Sequence, residues 1–293
     1  MLVVSPFSAG NASDIVARLV LDQVSQRFGQ PFVIENRPGA GGVLGVASVA
    51  RADADGYTLL LGSSSISASV VLHSSLPYDP LRDLTPVVMF GAQPSVLVTS
   101  PAKGYKTVAD LVAAAKARPG ELNFASAGIG SASHIAGEKL RLAAGVSVQH
   151  VPYRGPSEAF ADVLAGRIDY YFLPISPALP LIAQGKVVPL AVSTPQRLPL
   201  LPDVPSIVEA GYPHATYLFW SGIAAPAKTP RDIVGKLHDE VQTALDSPAI
   251  AEKLRNLGVQ PMPMTPDEFQ KFFAADVAAT IKLGEAAKIA PTD

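Results

Sequence analysis

The chain has 293 residues, of which 48% are hydrophobic and only 16% charged, and a formal net charge of −2. So much apolar material fills a packed core and excludes disorder. Scattered charges exclude the basic stripe of a nucleic-acid binder, and the lack of cysteine excludes disulfides, thiolate chemistry and Cys-built zinc sites. The length allows one large domain or two smaller ones.

A thiol-free chain suits an oxidising compartment, and no apolar run reaches the length of a membrane span. The first residues, Met1-Leu2-Val3-Val4-Ser5-Pro6, have neither the basic start nor the apolar run of a signal peptide. They read as a buried strand already under way, as expected of a chain without its leader.

Leu2–Val4 is that strand. A helix follows, with Ile15, Val16, Leu19, Val20, Val24 and Phe28 expected on its core face. Asn11 or Ser13 can cap its start, Asp14 suits the positive end of its dipole, and Gly29 stops it. A strand at Phe32–Glu35, a helix around Val43–Arg51, a strand at Tyr57–Leu61 and a serine-rich turn at Gly62–Ser65 come next. This β-α-β-α-β order predicts a mostly parallel sheet flanked by helices.

A second α/β set begins after Pro94. Its strands are expected at Ser95–Thr99, Asn123–Ser126, Val148–Val151, Ile168–Leu173 and Pro189–Ser193. Helices are expected from about 108 to 117, 133 to 144 and 157 to 165. From Thr229 the chain is mostly helical. Two sets joined by two crossings predict a two-lobed α/β protein, with residues 1–97 plus 224–293 in one lobe, residues 98–223 in the other and a ligand cleft between them.

Two turns carry the chemistry. The first, Phe7-Ser8-Ala9-Gly10-Asn11, runs from a strand into a helix that begins near Asp14. The second, Ser126-Ala127-Gly128-Ile129-Gly130-Ser131, does the same and leads to His134. Small residues let a backbone approach a ligand closely, and the unpaired N–H groups of a helix start attract anions. Each turn alone is equally an ordinary capped loop. One in each lobe could grip a single anion from two sides without an arginine.

Other motifs point to plainer readings. Gly39-Ala40-Gly41-Gly42-Val43-Leu44-Gly45 lacks the glycine a dinucleotide loop requires at position 44. His134 and Glu138 have helical spacing for a metal but no third ligand, so neither metal nor cofactor is expected. Ser131 and His134 invite a hydrolase reading, yet no G-x-S-x-G elbow is present. Trp220 is as readily a packing anchor as a ligand contact.

Taken together, the segments resemble the tripartite tricarboxylate transporter substrate-binding family, the Bug-type periplasmic receptors. The landmarks are Pro6–Gly10, Asp14 with Arg18, Val33–Gly42, Asp55–Thr58, Leu76–Pro80, Gly128–Ser131 with His134, Val151–Gly155, Leu201–Pro205, Trp220–Gly222 and Ala225-Pro226. The resemblance covers nearly the whole chain. It implies a periplasmic-binding-protein fold with two chain crossings, closing on a small di-, tri- or aromatic carboxylate. It also implies a periplasmic location and delivery to the large and small membrane subunits of a transporter. Binding, not catalysis, is implied, by a monomer with no nucleic-acid partner.

In this picture Phe7, Ser8, Ala9, Gly10, Asn11 and Asp14 in one lobe and Ser126, Ala127, Gly130, Ser131 and His134 in the other hold a carboxylate, partly through water. Ser63, Ser64, Tyr153, Asp169 and Phe172 shape the rest of the pocket. Asn11 stands where the family usually has a second glycine, and is expected to tolerate left-handed geometry and to offer its amide to the ligand. The alternatives are a carboxylate-responsive sensor partner, and an enzyme using Ser131, His134 and Asp169.

Overall fold

Val3 and Val4 carry no polar side-chain atoms and are fully buried, which makes β1 (Leu2–Ser5) a central strand. The computed structural model describes residues 1–291. After β1 come α1 (Ala12–Phe28), β2 (Val33–Asn36), α2 (Val43–Ala50), β3 (Thr58–Ser63), α3 (Ser64–Leu72) and β4 (Leu84–Gln93). The middle of the chain holds β5 (Ser95–Thr99), α4 (Val108–Ala117), β6 (Asn123–Ser126), α5 (Ala132–Ala144), β7 (Gln149–Pro152), α6 (Pro156–Leu164), β8 (Tyr171–Pro174), α7 (Ile175–Ala183) and β9 (Val188–Val192). It closes with β10 (Phe219–Pro226), α8 (Arg231–Leu245), α9 (Pro248–Asn256) and α10 (Pro266–Ala287).

The chain divides into two units. One comprises Met1–Ala92, Trp220–Glu285 and the segment from Ile289; the other comprises Gln93–Phe219 with Ala286–Lys288. Thr292 and Asp293, included in the first expected lobe, lie outside the described residues.

In the first unit the strand order is β2-β1-β3-β10-β4. β2, β1 and β3 are parallel, and β10 returns antiparallel to β3, with Ser221 opposite Ser63 and Gly222 opposite Gly62. Val16, Val20, Leu21 and Val24 of α1 pack on Val3, Leu59, Leu61 and Ile223. The expected stripe shifts here. Ile15 is 44% exposed, and Ala17 and Leu21 take the inner face with Val16 and Val20.

The second unit repeats this plan. β8, β5 and β9 form one sheet in which β5 is antiparallel to both neighbours, and β6 pairs parallel with β7. A parallel bridge from Phe124 to Tyr170 joins the two groups. The sequence of neighbours is therefore β7-β6-β8-β5-β9, the counterpart of β2-β1-β3-β10-β4. Alternation along the strands splits the core into two faces. Leu97 and Phe172, register partners, lie with Phe124 and Leu140, whereas Val96, Val98, Tyr171 and Leu173 lie with Val163 and Ala178.

Three local expectations are corrected. The Gly62–Ser65 turn is the end of β3 and the start of α3, with Ser63 extended (φ −156°) at the N-cap position. The proline-rich stretch from Pro174 is helical over α7, with Pro180 inside it. Asn11 is extended (φ −71°, ψ 167°), so no left-handed tolerance is called on; Gly10 beside it takes the positive φ of 81°.

Candidate functional site

Turns that follow parallel strands open at the carboxyl edge of a sheet, where α/β proteins bind ligands. The turn after β1 and the turn after β6 hold equivalent positions in the two units, each following the second strand from one sheet edge.

The first turn is organised around Asp14, whose side chain is 1% exposed. Its carboxylate accepts from the Gly10 N–H (2.9 Å), Arg18 Nε (2.9 Å), Arg18 Nη2 (3.2 Å) and Asn36 Nδ2 (3.0 Å). Burial pushes this carboxyl up, but the bonds from Arg18, Gly10 and Asn36 outweigh it and hold the group below the usual carboxylate range. Asp14 thus builds the turn and has its acceptor capacity taken up. Asn36 Nδ2 also donates to the Phe7 carbonyl (2.9 Å), tying the turn to β2.

Asn11 adds a clamp. Its Oδ1 accepts from the Asp14 N–H (3.0 Å) and the Ser13 hydroxyl (2.9 Å), while its Nδ2 donates to the Ser8 carbonyl (2.7 Å). The side-chain amide expected at the ligand is occupied in closing the turn. Ser8, Ala9 and Gly10 are left exposed at its tip and Phe7 half-buried. The first N–H groups of α1 have no acceptor within the helix and carry its positive end.

Gly39–Gly45 has a seating role. A Cβ on Gly45 would stand 2.8 Å from Pro6 Cα, and one on Gly42, where φ is +98°, would stand 3.0 Å from the Phe7 ring. The glycines let this loop pass beneath Pro6 and Phe7.

The second turn is held by hydroxyls and imidazoles. Gly128 and Gly130 take positive φ (123° and 77°). The Ala127 N–H donates to Ser133 Oγ (3.0 Å), the Gly128 N–H to Ser126 Oγ (3.2 Å) and the Gly130 N–H to His134 Nδ1 (3.1 Å). Ser131 caps α5 by accepting from the His134 N–H (3.3 Å). Beneath the turn the rings of His134 and His150 stack at 4.1 Å, and Phe124 stacks on His150 at 4.8 Å. His150 Nε2 lies 2.6 Å from Ser126 Oγ.

Burial, then the neighbouring His150 and Arg141, pushes His134 down to about 3; burial alone pushes His150 down to about 4. Both are neutral at neutral pH. Because Nδ1 of His134 accepts from Gly130, its ring proton is assigned to Nε2.

Several expected residues have other work. Phe172 is 1% exposed and packs in the core with Leu97 and Phe124. Asp169 is buried and pairs with Lys103 (2.8 Å) while accepting from the Asn123 N–H (2.9 Å). That is the opening end of β6, about 10 Å of strand from Ser126. The Tyr153 hydroxyl donates to Asp162 (2.6 Å), although its backbone N–H donates to the Ser126 carbonyl (3.0 Å). Ser63 and Ser64 are buried; Ser65 is half-buried, with its hydroxyl 2.6 Å from that of Ser63.

Ser131, His134 and Asp169 do not assemble a relay. The His134 ring is used by Gly130, the Ser131 hydroxyl faces Ser133 (3.1 Å), and Asp169 sits at the far end of the strand. Trp220 is a packing anchor. Its Nε1 donates to Asp276 (2.9 Å), and Phe269, Phe272 and Phe273 meet its ring edge-on.

His150 and Asn36 are the residues that sequence reasoning passed over. Each lies on an edge-proximal strand paired with the strand that feeds a turn: Phe124 opposite His150, Ser5 opposite Asn36. Both strands carry a second polar residue, Glu35 in β2 and Gln149 in β7, so no local signal singled these two out.

Comparison with known proteins identifies the family. Residues 16–288 match the model of the tripartite tricarboxylate transporter family receptor. The protein BugT of Bordetella pertussis is 36% identical over 277 residues, 94% of this chain and 85% of that protein. The structure of Rpa4515 from R. palustris with adipate superposes with a TM-score of 0.86 at 35% identity, covering 99% of this chain and 98% of that one. MatC (Rpa3494) from Rhodopseudomonas palustris with bound malate gives 0.82 at 33% identity, covering 98% of each. These relatives are substrate-binding receptors, not enzymes, and have the two-lobed α/β fold of periplasmic binding proteins. The chain belongs to the tripartite tricarboxylate transporter receptor family and is a Bug-type solute-binding protein.

Proposed function

We propose that this protein captures a small carboxylate in the periplasm and presents it to the membrane subunits of a tripartite transporter. One observation carries the reading. Two turns in equivalent places, one in each unit, bring backbone N–H groups and small side chains to a helix start, and both are braced from behind by buried polar side chains. Relatives with adipate and malate bound support the class of ligand. No helix among the described residues is long and apolar enough to cross a membrane.

The proposed contacts are the Phe7–Asn11 backbone and Ser8 in the first unit, and Ser126 to Ser131 with His134 in the second. Ser65 in the first unit and the backbone of Tyr153 in the second are further proposed contacts. Two neutral imidazoles and a saturated Asp14 leave the starts of α1 and α5 as the local positive poles, so a carboxylate meets no competing acid in either turn.

The test is mass spectrometry of small molecules released by denaturing freshly purified protein. Release of a stoichiometric carboxylate is expected. A stoichiometric ligand without a carboxyl group would overturn the reading.

A further inference from the structure

The second turn is shaped by side chains more than by its own backbone. The Ala127 N–H donates to Ser133 Oγ, the Gly128 N–H to Ser126 Oγ and the Gly130 N–H to His134 Nδ1; the Ser131 N–H donates to the Gly128 carbonyl. Such props are needed here. Gly128 and Gly130 both take positive φ, and glycine loses more conformational freedom on ordering than any other residue. Ser133 and His134 are carried by α5. Ser126 ends β6, and its side chain can change rotamer unless something outside the turn fixes it.

His150, on β7, supplies that restraint. Its Nε2 is 2.6 Å from Ser126 Oγ, closer than the Gly128 carbonyl (3.1 Å) or the Gly128 nitrogen (3.2 Å). A hydroxyl has one proton and two lone pairs, and the Gly128 N–H takes one lone pair. If His150 carries its proton on Nε2, Ser126 accepts that proton too and donates to the Gly128 carbonyl. If Nε2 is bare, Ser126 donates to it. Either tautomer pins the oxygen between the imidazole and the Gly128 N–H. The imidazole is itself held, with Phe124, its register partner, stacked on it at 4.8 Å and His134 at 4.1 Å.

The first unit uses the same device. Asn36, on β2 beside β1, reaches the Phe7 carbonyl (2.9 Å) and Asp14 (3.0 Å). In each unit a polar side chain from the neighbouring strand takes hold of the turn. Resting on the carboxylate reading above, we propose that His150 is a positioning residue for ligand binding, acting through the Ser126 hydroxyl to fix the Gly128 peptide and with it the second turn. A turn already fixed spares the ligand the entropy of ordering it, so the effect falls on affinity.

The test is a double-mutant cycle read by isothermal titration with the tightest binder among succinate, malate, adipate and phthalate. The proteins are wild type, His150→Phe, His150→Gln, Ser126→Ala and the His150→Phe/Ser126→Ala pair. His150→Phe keeps a stacked ring but loses Nε2, and should weaken binding about 3- to 10-fold. His150→Gln, whose amide reaches the same place, should recover most of that loss. Ser126→Ala should weaken binding to a similar degree, and adding His150→Phe to it should change affinity by less than about twofold.

Thermal melts of the same variants keep every titration below the unfolding transition. Wild-type affinity in His150→Phe, no recovery in His150→Gln, or losses that multiply in the double variant overturn the proposal and leave the carboxylate reading standing. If His150→Phe does not fold, Ser126→Ala and His150→Gln carry the test: unchanged affinity in the first, or a loss in the second as large as in the first, overturns it. Failure of wild type to bind any of the four acids overturns the carboxylate reading itself.

Discussion

Acidification should destabilise the protein through His134, and the size of the effect follows from its surroundings. The imidazole is 4% exposed, stacked on His150 and within the field of Arg141, and its pKa falls to about 3. In the unfolded chain the same group titrates near 6.5. A folded value below the unfolded one means that, between about pH 6.5 and 3, the unfolded chain takes up a proton the folded chain refuses. Stability is therefore intact above that window and is lost as pH falls through it.

Each unit costs about 1.4 kcal/mol, so at pH 4.5 the loss from His134 alone is about 2.7 kcal/mol. His134→Asn removes the titration while keeping a side-chain acceptor for the Gly130 N–H. Denaturant unfolding at pH 7 and pH 4.5 should show wild type losing about 2–3 kcal/mol more than this variant on acidification. Carboxylates titrate alike in both proteins and cancel in the difference. Equal losses in the two proteins would refute the argument that the buried neutral ring braces the second turn.

Three further predictions follow from single contacts. Asp14→Asn should cost about 2–3 kcal/mol in denaturant unfolding and weaken carboxylate binding, because it removes the charge that gathers Gly10, Arg18 and Asn36. Asn11→Ala should cost about 1–2 kcal/mol through loss of the cap and of the bond to Ser8, with Asn11→Gly costing less, as thermal melts would show. Gly137→Ala should cost at least about 1–3 kcal/mol, since its Cβ would stand 2.3 Å from the Phe124 ring that lies under His150; a melt unchanged from wild type would contradict that packing.

What could be read from the sequence was set by short-range chemistry. Helix α4, with Thr107 and Asp110 forming a capping box, and strand β6 are found where local pattern places them, and Gly29 stops α1 in left-handed geometry as a C-cap glycine should. β4 was not legible, because Pro86 and Gly91 interrupt its apolar run and resemble loop punctuation. The start of α3 was hidden by three serines, which favour turns in isolation. The antiparallel returns of β5 and β10 depend on long-range pairing that no local pattern encodes.

The two turns were legible as strand-to-helix junctions rich in small residues, but their bracing was not. Asn11 is the clearest instance. Its composition cue pointed to unusual backbone geometry and a ligand contact, whereas its side chain caps α1 and locks Ser8 from an ordinary extended conformation. Phe172 lies in β8 and Asp169 just before it, yet the ring goes into the core and the carboxylate to Lys103. Only the sheet register settles such directions.

The most direct test of the central claim is isothermal titration of the ligand-stripped protein with succinate, malate, adipate and phthalate, each beside its uncharged diamide. Saturable one-to-one binding of at least one carboxylate, with no heat from the matching diamide, is the predicted result. Absence of binding by every carboxylate at millimolar concentration, or equal binding of acid and diamide, would contradict the account.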